Sequence, residues 1–164
     1  MTNTIADIET SDMILVTGSN TTENHPVLSS FVKRAVLKGT KLVVIDPRKI
    51  KLAEYADKWL RPNPGTDIAW INGLMHVIIN ENLQNKSFIE NRTENFDTLK
   101  NVVEKYTPEK VEAITGIKAD DIIEVARAFA TAPAAAILYC MGITQHICGT
   151  DNVKSLANLS MLCG

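Results

Sequence analysis

Met13-Ile-Leu-Val-Thr17, Gly18-Ser-Asn-Thr-Thr-Glu-Asn-His-Pro26 and Lys41-Leu-Val-Val-Ile-Asp46 decide how this chain folds. The first is a short apolar run rich in strand formers. It stops at a polar stretch made almost wholly of loop formers. The third carries four consecutive apolar residues, the pattern of a strand covered on both faces, as in a parallel sheet. Between them Val27 to Lys38 reads as a helix, with Val27, Phe31 and Ala35 as its apolar stripe and Leu28 and Val32 as further members. Lys33, Arg34 and Lys38 lie off that stripe, and Gly39 ends the helix. Pro47 to Ala56 opens with a proline suited to a loop or a first helical turn, and Lys58-Trp-Leu-Arg61 reads as a short third strand. Strand, helix, strand, helix, strand with short joins is the βαβ pattern. The expected fold class is therefore α/β, a three-layer α/β/α arrangement with a mainly parallel, Rossmann-like sheet.

Downstream, Thr66 is placed to cap a long helix from Asp67 to about Asn82. Ile68, Ile71, Met75 and Ile78 mark one face and Trp70, Leu74 and Val77 another, so this helix is expected to be buried between layers. Its His76 reads as a satisfied core or boundary histidine. Ser87 to Tyr106 is expected to form two short helices broken near Arg92-Thr-Glu-Asn95. Thr107-Pro108-Glu109 then supplies a cap, a proline at the first helical position and an early acid for a helix ending at Gly116. Asp120 to Thr131 is a further helix with Ile122, Val125, Ala126 and Phe129 inward. Ala134 to Tyr139 reads as a last buried strand, Cys140 to Gly149 as a loop and Asn152 to Leu162 as a final helix.

Composition bounds the rest. The 164 residues suit one domain, 45% are hydrophobic and 22% charged, and 17 basic against 19 acidic residues leave a net charge of -2. Disorder is excluded by that balance, and a strongly basic nucleic-acid surface is not expected. No apolar run approaches the ~18–20 residues of a membrane span, so no membrane insertion is expected. The polar N-terminus reads as neither a secretory signal nor a transit peptide. Cys140, Cys148 and Cys163 form no metal-type pair and read as small core residues in a reducing compartment. His25, His76 and His146 share no helical spacing, so no metal ligands are assigned.

In an open parallel sheet, ligands bind beyond the carboxyl ends of the strands, at the point where strand order reverses. The informative turns are therefore Gly18 to Pro26, Asp46-Pro-Arg48, Asn63-Pro-Gly-Thr-Asp67 and Met141-Gly-Ile-Thr-Gln145. The first turn has one glycine where a nicotinamide-binding fingerprint wants three, and no phosphate-binding P-loop motif occurs. No nucleophile elbow is present either. Read singly, His25 structures a turn. Asp67 is either a helix-dipole acid or a carboxylate for the N–H groups of a base. Arg48 is either a surface arginine or a phosphate fork.

Taken together with Val44-Ile-Asp-Pro-Arg48, Pro64-Gly-Thr-Asp-Ile-Ala69, Tyr106-Thr-Pro-Glu109 and Val111-Glu-Ala-Ile-Thr-Gly116, these turns resemble, in order and spacing, the molybdopterin oxidoreductase family. Within it the match is to the catalytic alpha subunits of formate dehydrogenases, and it covers essentially the whole chain. The resemblance implies one of the α/β domains that hold molybdopterin guanine dinucleotide around molybdenum or tungsten. Ser19, Asn20, Glu23, His25 and Pro26 would approach the nucleotide of one cofactor, and Ile45, Asp46, Pro47 and Arg48 its ribose and phosphate. Gly65, Thr66 and Asp67 would reach the guanine, whose N–H donors suit a carboxylate. Met141 and Gln145 would lie nearer the pterin.

The family's N-terminal cysteine motif for an iron–sulfur cluster is missing, as is the cysteine or selenocysteine that ligates the metal. The chain is thus expected to be a single domain, residues 1–164, cut from a larger subunit. It should contain no catalytic residue of its own and be inactive alone. Its expected partners are the rest of its parent chain and electron-transfer subunits, with a cytoplasmic location, or a periplasmic one for the parent. The alternatives are the same domain of a sister reductase for nitrate, dimethyl sulfoxide or arsenic compounds, and a stand-alone binding module.

Overall fold

The computed structural model describes residues 3–164. Their contacts gather into two compact units. The first holds the residues up to Arg61 with Ala132–Ile143, and the second Pro62–Thr131 with Thr144–Gly164. Each unit is built on its own logic.

The first unit is a four-stranded sheet, β1 (Met13–Thr17), β2 (Lys41–Ile45), β3 (Lys58–Leu60) and β4 (Ala135–Tyr139), in the order β3-β2-β1-β4. Every neighbouring pair is parallel, in register from Met13 opposite Lys41 and Met13 opposite Ala135. The α/β class and the parallel sheet read from sequence are therefore what the molecule has. Side chains alternate across a strand, so Ile14, Val16, Leu42 and Val44 share one face. There they pack with Val32 and Ala35 of α2 (Pro26–Leu37) and with Leu52 and Ala53 of a 3₁₀ turn, Lys51–Tyr55. Met13, Leu15, Val43 and Ile45 on the other face are buried too, which explains why both strands read as unbroken apolar runs.

Four expectations change here. The stretch 18–26 is not all loop: Thr21–Asn24 forms a short helix, α1, directly before α2. The stripe of α2 runs through Leu28, Phe31, Val32 and Ala35, while Val27 is 68% exposed. With proline at its first position, Val27 falls in the first turn and points off the packed face. β4 is half-exposed rather than buried; among the described residues it lies at the edge of the sheet, paired on one side. Finally, 140–149 holds a one-turn helix, α8, Met141–Thr144.

The second unit is helical. Its centre is α3 (Asp67–Asn80), buried without interruption from Ala69 to Ile79. Around it pack α5 (Phe96–Val103), α6 (Pro108–Thr115), α7 (Ala119–Thr131) and α9 (Gly149–Cys163), with α4 (Lys86–Arg92) against α9. The caps of α6 are those expected from sequence. Thr107 accepts the Lys110 N–H at 3.4 Å, and Gly116 closes α6 in the left-handed region, φ 76°. Asn85 caps α4 by accepting the Phe88 N–H at 3.0 Å. His76 is satisfied: Nδ1 lies 3.0 Å from the Val103 carbonyl and Nε2 2.7 Å from the Asn80 amide. Arg127 donates twice to Glu81, at 2.7 and 2.8 Å, and holds that carboxyl below its usual range. No helix among the described residues is long and apolar enough to cross a membrane.

Candidate functional site

β1 lies between β2 and β4, so the chain steps one way from β1 to β2 to β3 and later returns to the other side of β1. The strand order reverses between β1 and β4, and the crevice at that reversal is where an open parallel sheet offers its ligand site. Two glycines meet there. The Gly142 N–H donates to the Gly18 carbonyl at 2.9 Å. A Cβ added at Gly18 would fall 2.6 Å from the Gly142 carbonyl carbon, and one at Gly142 would fall 2.5 Å from the Gly18 Cα. Gly18 also needs the left-handed region, φ 55°. Sequence reading gave no role to Gly142; a glycine in the turn that follows β4 was the available signal.

The turn beyond β1 carries Ser19, Asn20, Glu23, His25 and Pro26. Ser19 is buried and Asn20 half-buried; Glu23, His25 and Pro26 are exposed. Asn20 Nδ2 donates to Glu23 Oε2 at 2.8 Å, and Glu23 Oε1 stands 3.9 Å from Lys51 Nζ. Two oxygens at this turn have no hydrogen-bond partner although they are buried, Asn20 Oδ1 and Thr21 Oγ1. Buried polar atoms are nearly always paired, so these two mark unused acceptor capacity. The His25 imidazole lies 3.9 Å from the Cys140 thiol at the end of β4. Met141, next in the chain, is 57% exposed.

At the end of β2, Ile45 and Asp46 are buried while Pro47 and Arg48 are exposed. Asp46 Oδ1 accepts the Arg48 N–H at 2.8 Å, an Asx turn that sets the direction of the loop. The Trp59 indole donates to the Asp46 carbonyl at 2.9 Å. The Arg48 side chain is 74% exposed and only 3.9 Å from Asp46 at its Nε, so its guanidinium fork is free to take an anion. The sheet thus gathers the turns after β1, β2 and β4 at one edge, three of the four turns singled out by sequence.

The fourth turn belongs to the helical unit. Gly65 adopts φ 80° with open space where a Cβ would stand. Thr66 precedes α3 as expected, yet its hydroxyl donates to the Asn63 carbonyl at 2.6 Å instead of capping the helix. Asp67 is 12% exposed at its side chain; Oδ2 lies 3.9 Å from His146 Nε2 and Oδ1 accepts the Trp70 indole at a long 3.4 Å. A carboxylate has about four acceptor positions, so most of this one's capacity is uncommitted. Gln145 is exposed immediately before His146. The His146 contact was missed in sequence because its two residues lie 79 positions apart.

The molybdopterin oxidoreductase family model matches residues 1–164. The chain is 49% identical over all 164 residues to F420-dependent formate dehydrogenase 1 subunit alpha of Methanococcus maripaludis. It is 44% identical over 164 residues to formate dehydrogenase H of Escherichia coli. It spans only 24% of the first of those relatives and 23% of the second. Among solved structures it superposes on acetylene hydratase from Pelobacter acetylenicus with TM-score 0.89 and 33% identity, covering 98% of this chain and 24% of that one. Sequence along the full length and fold together place the chain in one group: it belongs to the molybdopterin oxidoreductase family.

Proposed function

We propose that these residues are part of a formate dehydrogenase alpha subunit and hold a portion of its molybdopterin cofactor as the guanine dinucleotide. The observation that carries this reading is the 49% identity, along all 164 residues, to a formate dehydrogenase alpha subunit. The 24% share of that relative supports reading the chain as one piece of a longer polypeptide. Acetylene hydratase has the same fold over this stretch, so the fold itself does not choose the reaction.

The residues suit the group. At the sheet edge the Gly18–Gly142 crossing keeps side chains out of the reversal point, and the Asn20 and Thr21 oxygens offer unpaired acceptors. The exposed Arg48 guanidinium matches a phosphate in charge and in its paired donors. Asp67, with acceptor positions to spare, matches the adjacent N–H donors of guanine. Gly65 leaves space beside it for a ring to approach. Ser19, Glu23, His25, Pro26, Ile45, Asp46, Pro47 and Thr66 shape these three turns, and Met141 and Gln145 would face the pterin. When bound, the cofactor supplies a molybdenum or tungsten centre for the two-electron oxidation of formate to carbon dioxide. This chain's share is to bind and orient the nucleotide end. The iron–sulfur cluster, the metal-ligating residue and the contacts to electron-transfer subunits would lie elsewhere in the parent, in the cytoplasm or, for an exported parent, the periplasm.

The test uses the full-length parent. Asp67→Ala and Arg48→Ala are expected to lower the molybdenum or tungsten retained through purification, Asp67→Ala more, with circular dichroism unchanged. Normal metal content in both variants would overturn the assignment. The 164-residue chain alone is expected to give no formate-dependent dye reduction with added cofactor; turnover would contradict its reading as a part.

A further inference from the structure

Asp67 opens α3 with a side chain only 12% exposed, and it is held differently from the acids that this fold pairs for stability. Glu9 and Glu81, with side chains 19% and 33% exposed, take Arg or Lys nitrogens at 2.6–2.7 Å. Asp67 instead has a looser neighbour on each oxygen. The Trp70 indole, one turn along on the same face of α3, donates to Oδ1 at 3.4 Å, and His146 Nε2 stands 3.9 Å from Oδ2. Both distances exceed the roughly 2.7–3.2 Å of a good N–H···O bond. A carboxylate drawn out of water without close partners is costly, so stability is given up here while both oxygens stay available.

Main chain fixes the place from which His146 acts. The residue lies between α8 and α9, and its carbonyl accepts the Gly149 N–H at 2.9 Å. The Thr144 carbonyl occupies the space that a Gly149 Cβ would need, so the turn closes on a glycine. A carboxylate has about four acceptor positions. One nitrogen faces each oxygen of Asp67, which leaves a position on each, as the adjacent N1–H and N2–H of guanine require. We propose that His146, with its proton on Nε2, is a positioning residue for Asp67. Together with Trp70 it aligns the carboxylate from two sides without consuming it, and so presets it for two neighbouring donors of a base. This inference rests on the reading of Asp67 as the guanine acceptor and adds a residue which that reading leaves out.

The test uses the full-length parent and follows the rate at which molybdenum or tungsten is lost on prolonged dialysis. His146→Leu, which fills similar space without an N–H, is expected to speed the loss at least about threefold, the worth of one modest polar contact. His146→Gln, which keeps an N–H donor, is expected to bring the rate back to within about twofold of the unaltered protein. His146→Leu added to Asp67→Ala is expected to cause no further acceleration, because His146 acts through that carboxylate; a merely structural role would add its own effect. Should His146→Leu be insoluble, His146→Phe carries the same expectations. An unchanged rate in the folded variant, no recovery with glutamine, or additive effects in the double variant would overturn the proposal and leave the cofactor reading standing. An unchanged rate in Asp67→Ala would overturn both.

Discussion

Gly18 in the sheet unit and Gly73 in the helical unit look equally crowded, yet they are held by different things. An added Cβ would come within 2.6 Å of a neighbour at Gly18 and 2.7 Å at Gly73. At Gly18 the neighbours are the backbone atoms of Gly142 and Ile143, which carry the end of β4 into α8. At Gly73 the neighbours are methyl groups of Val111, a fully buried side chain of α6. The sheet unit is pinned by main chain crossing main chain, the helical unit by side chains filling space. A main-chain contact can yield only by displacing a strand end; a side-chain contact can yield by a small shift of its helix.

Substitutions at the glycines should separate these cases. Gly18→Ala is expected to have the largest effect, roughly 3–5 kcal/mol, because overpacking adds to the strain of a left-handed alanine. Urea denaturation should show it, and a loss under 1 kcal/mol would mean that the crossing is softer than its distances imply. Gly65→Ala should cost about 1–2 kcal/mol from backbone conformation alone, since no atom lies within 4 Å of the added carbon. Gly73→Ala should cost about 0–2 kcal/mol, since the ~1 kcal/mol preference of a helix interior for alanine over glycine offsets part of the crowding. Adding Val111→Ala to Gly73→Ala should show coupling in a double-mutant cycle; no companion change on a side chain should rescue Gly18→Ala.

The smallest effect expected is a pH response at the end of α9. Burial pushes the Cys163 thiol up from 9.0 to about 11. Since the folded value is raised, the protonated thiol's contribution is complete below the unfolded value near 9 and is lost as pH climbs through about 11. Cys163 should therefore resist iodoacetamide at pH 8, and Cys163→Ala should flatten the stability profile between pH 9 and 11. Rapid labelling at pH 8 would show that α9 frays.

What could be read from sequence follows the range of the interactions involved. Thr107, Pro108 and Gly116 bounded α6 correctly because a cap and a left-handed glycine act within a few residues. β1 and β2 were legible because a strand buried on both faces leaves an unbroken apolar signature. β4 carries a similar run, but its exposure depends on being at the edge, which no local pattern records. Helices α1 and α8 are four residues each, too short for any periodicity to show. At the candidate site, three turns were found as a group because the ends of neighbouring parallel strands must lie together. The Gly18–Gly142 crossing and the His146–Asp67 contact join residues far apart in the chain, and a sequence without its fold cannot pair them.

The placement of β4 beside β1 also shapes how the chain reaches its fold. Met13 pairs with Ala135, while the stretch 62–131 between the strands belongs to the other unit. The chain passes from one unit to the other three times, so no single cleavage releases either as a continuous piece. Closing β1 onto β4 as a free loop would be entropically unfavourable, with a cost that rises with the logarithm of loop length. Folding of residues 62–131 into helices first would shorten that loop. An early helical stretch would thereby lower the entropic cost of closing β4 onto β1.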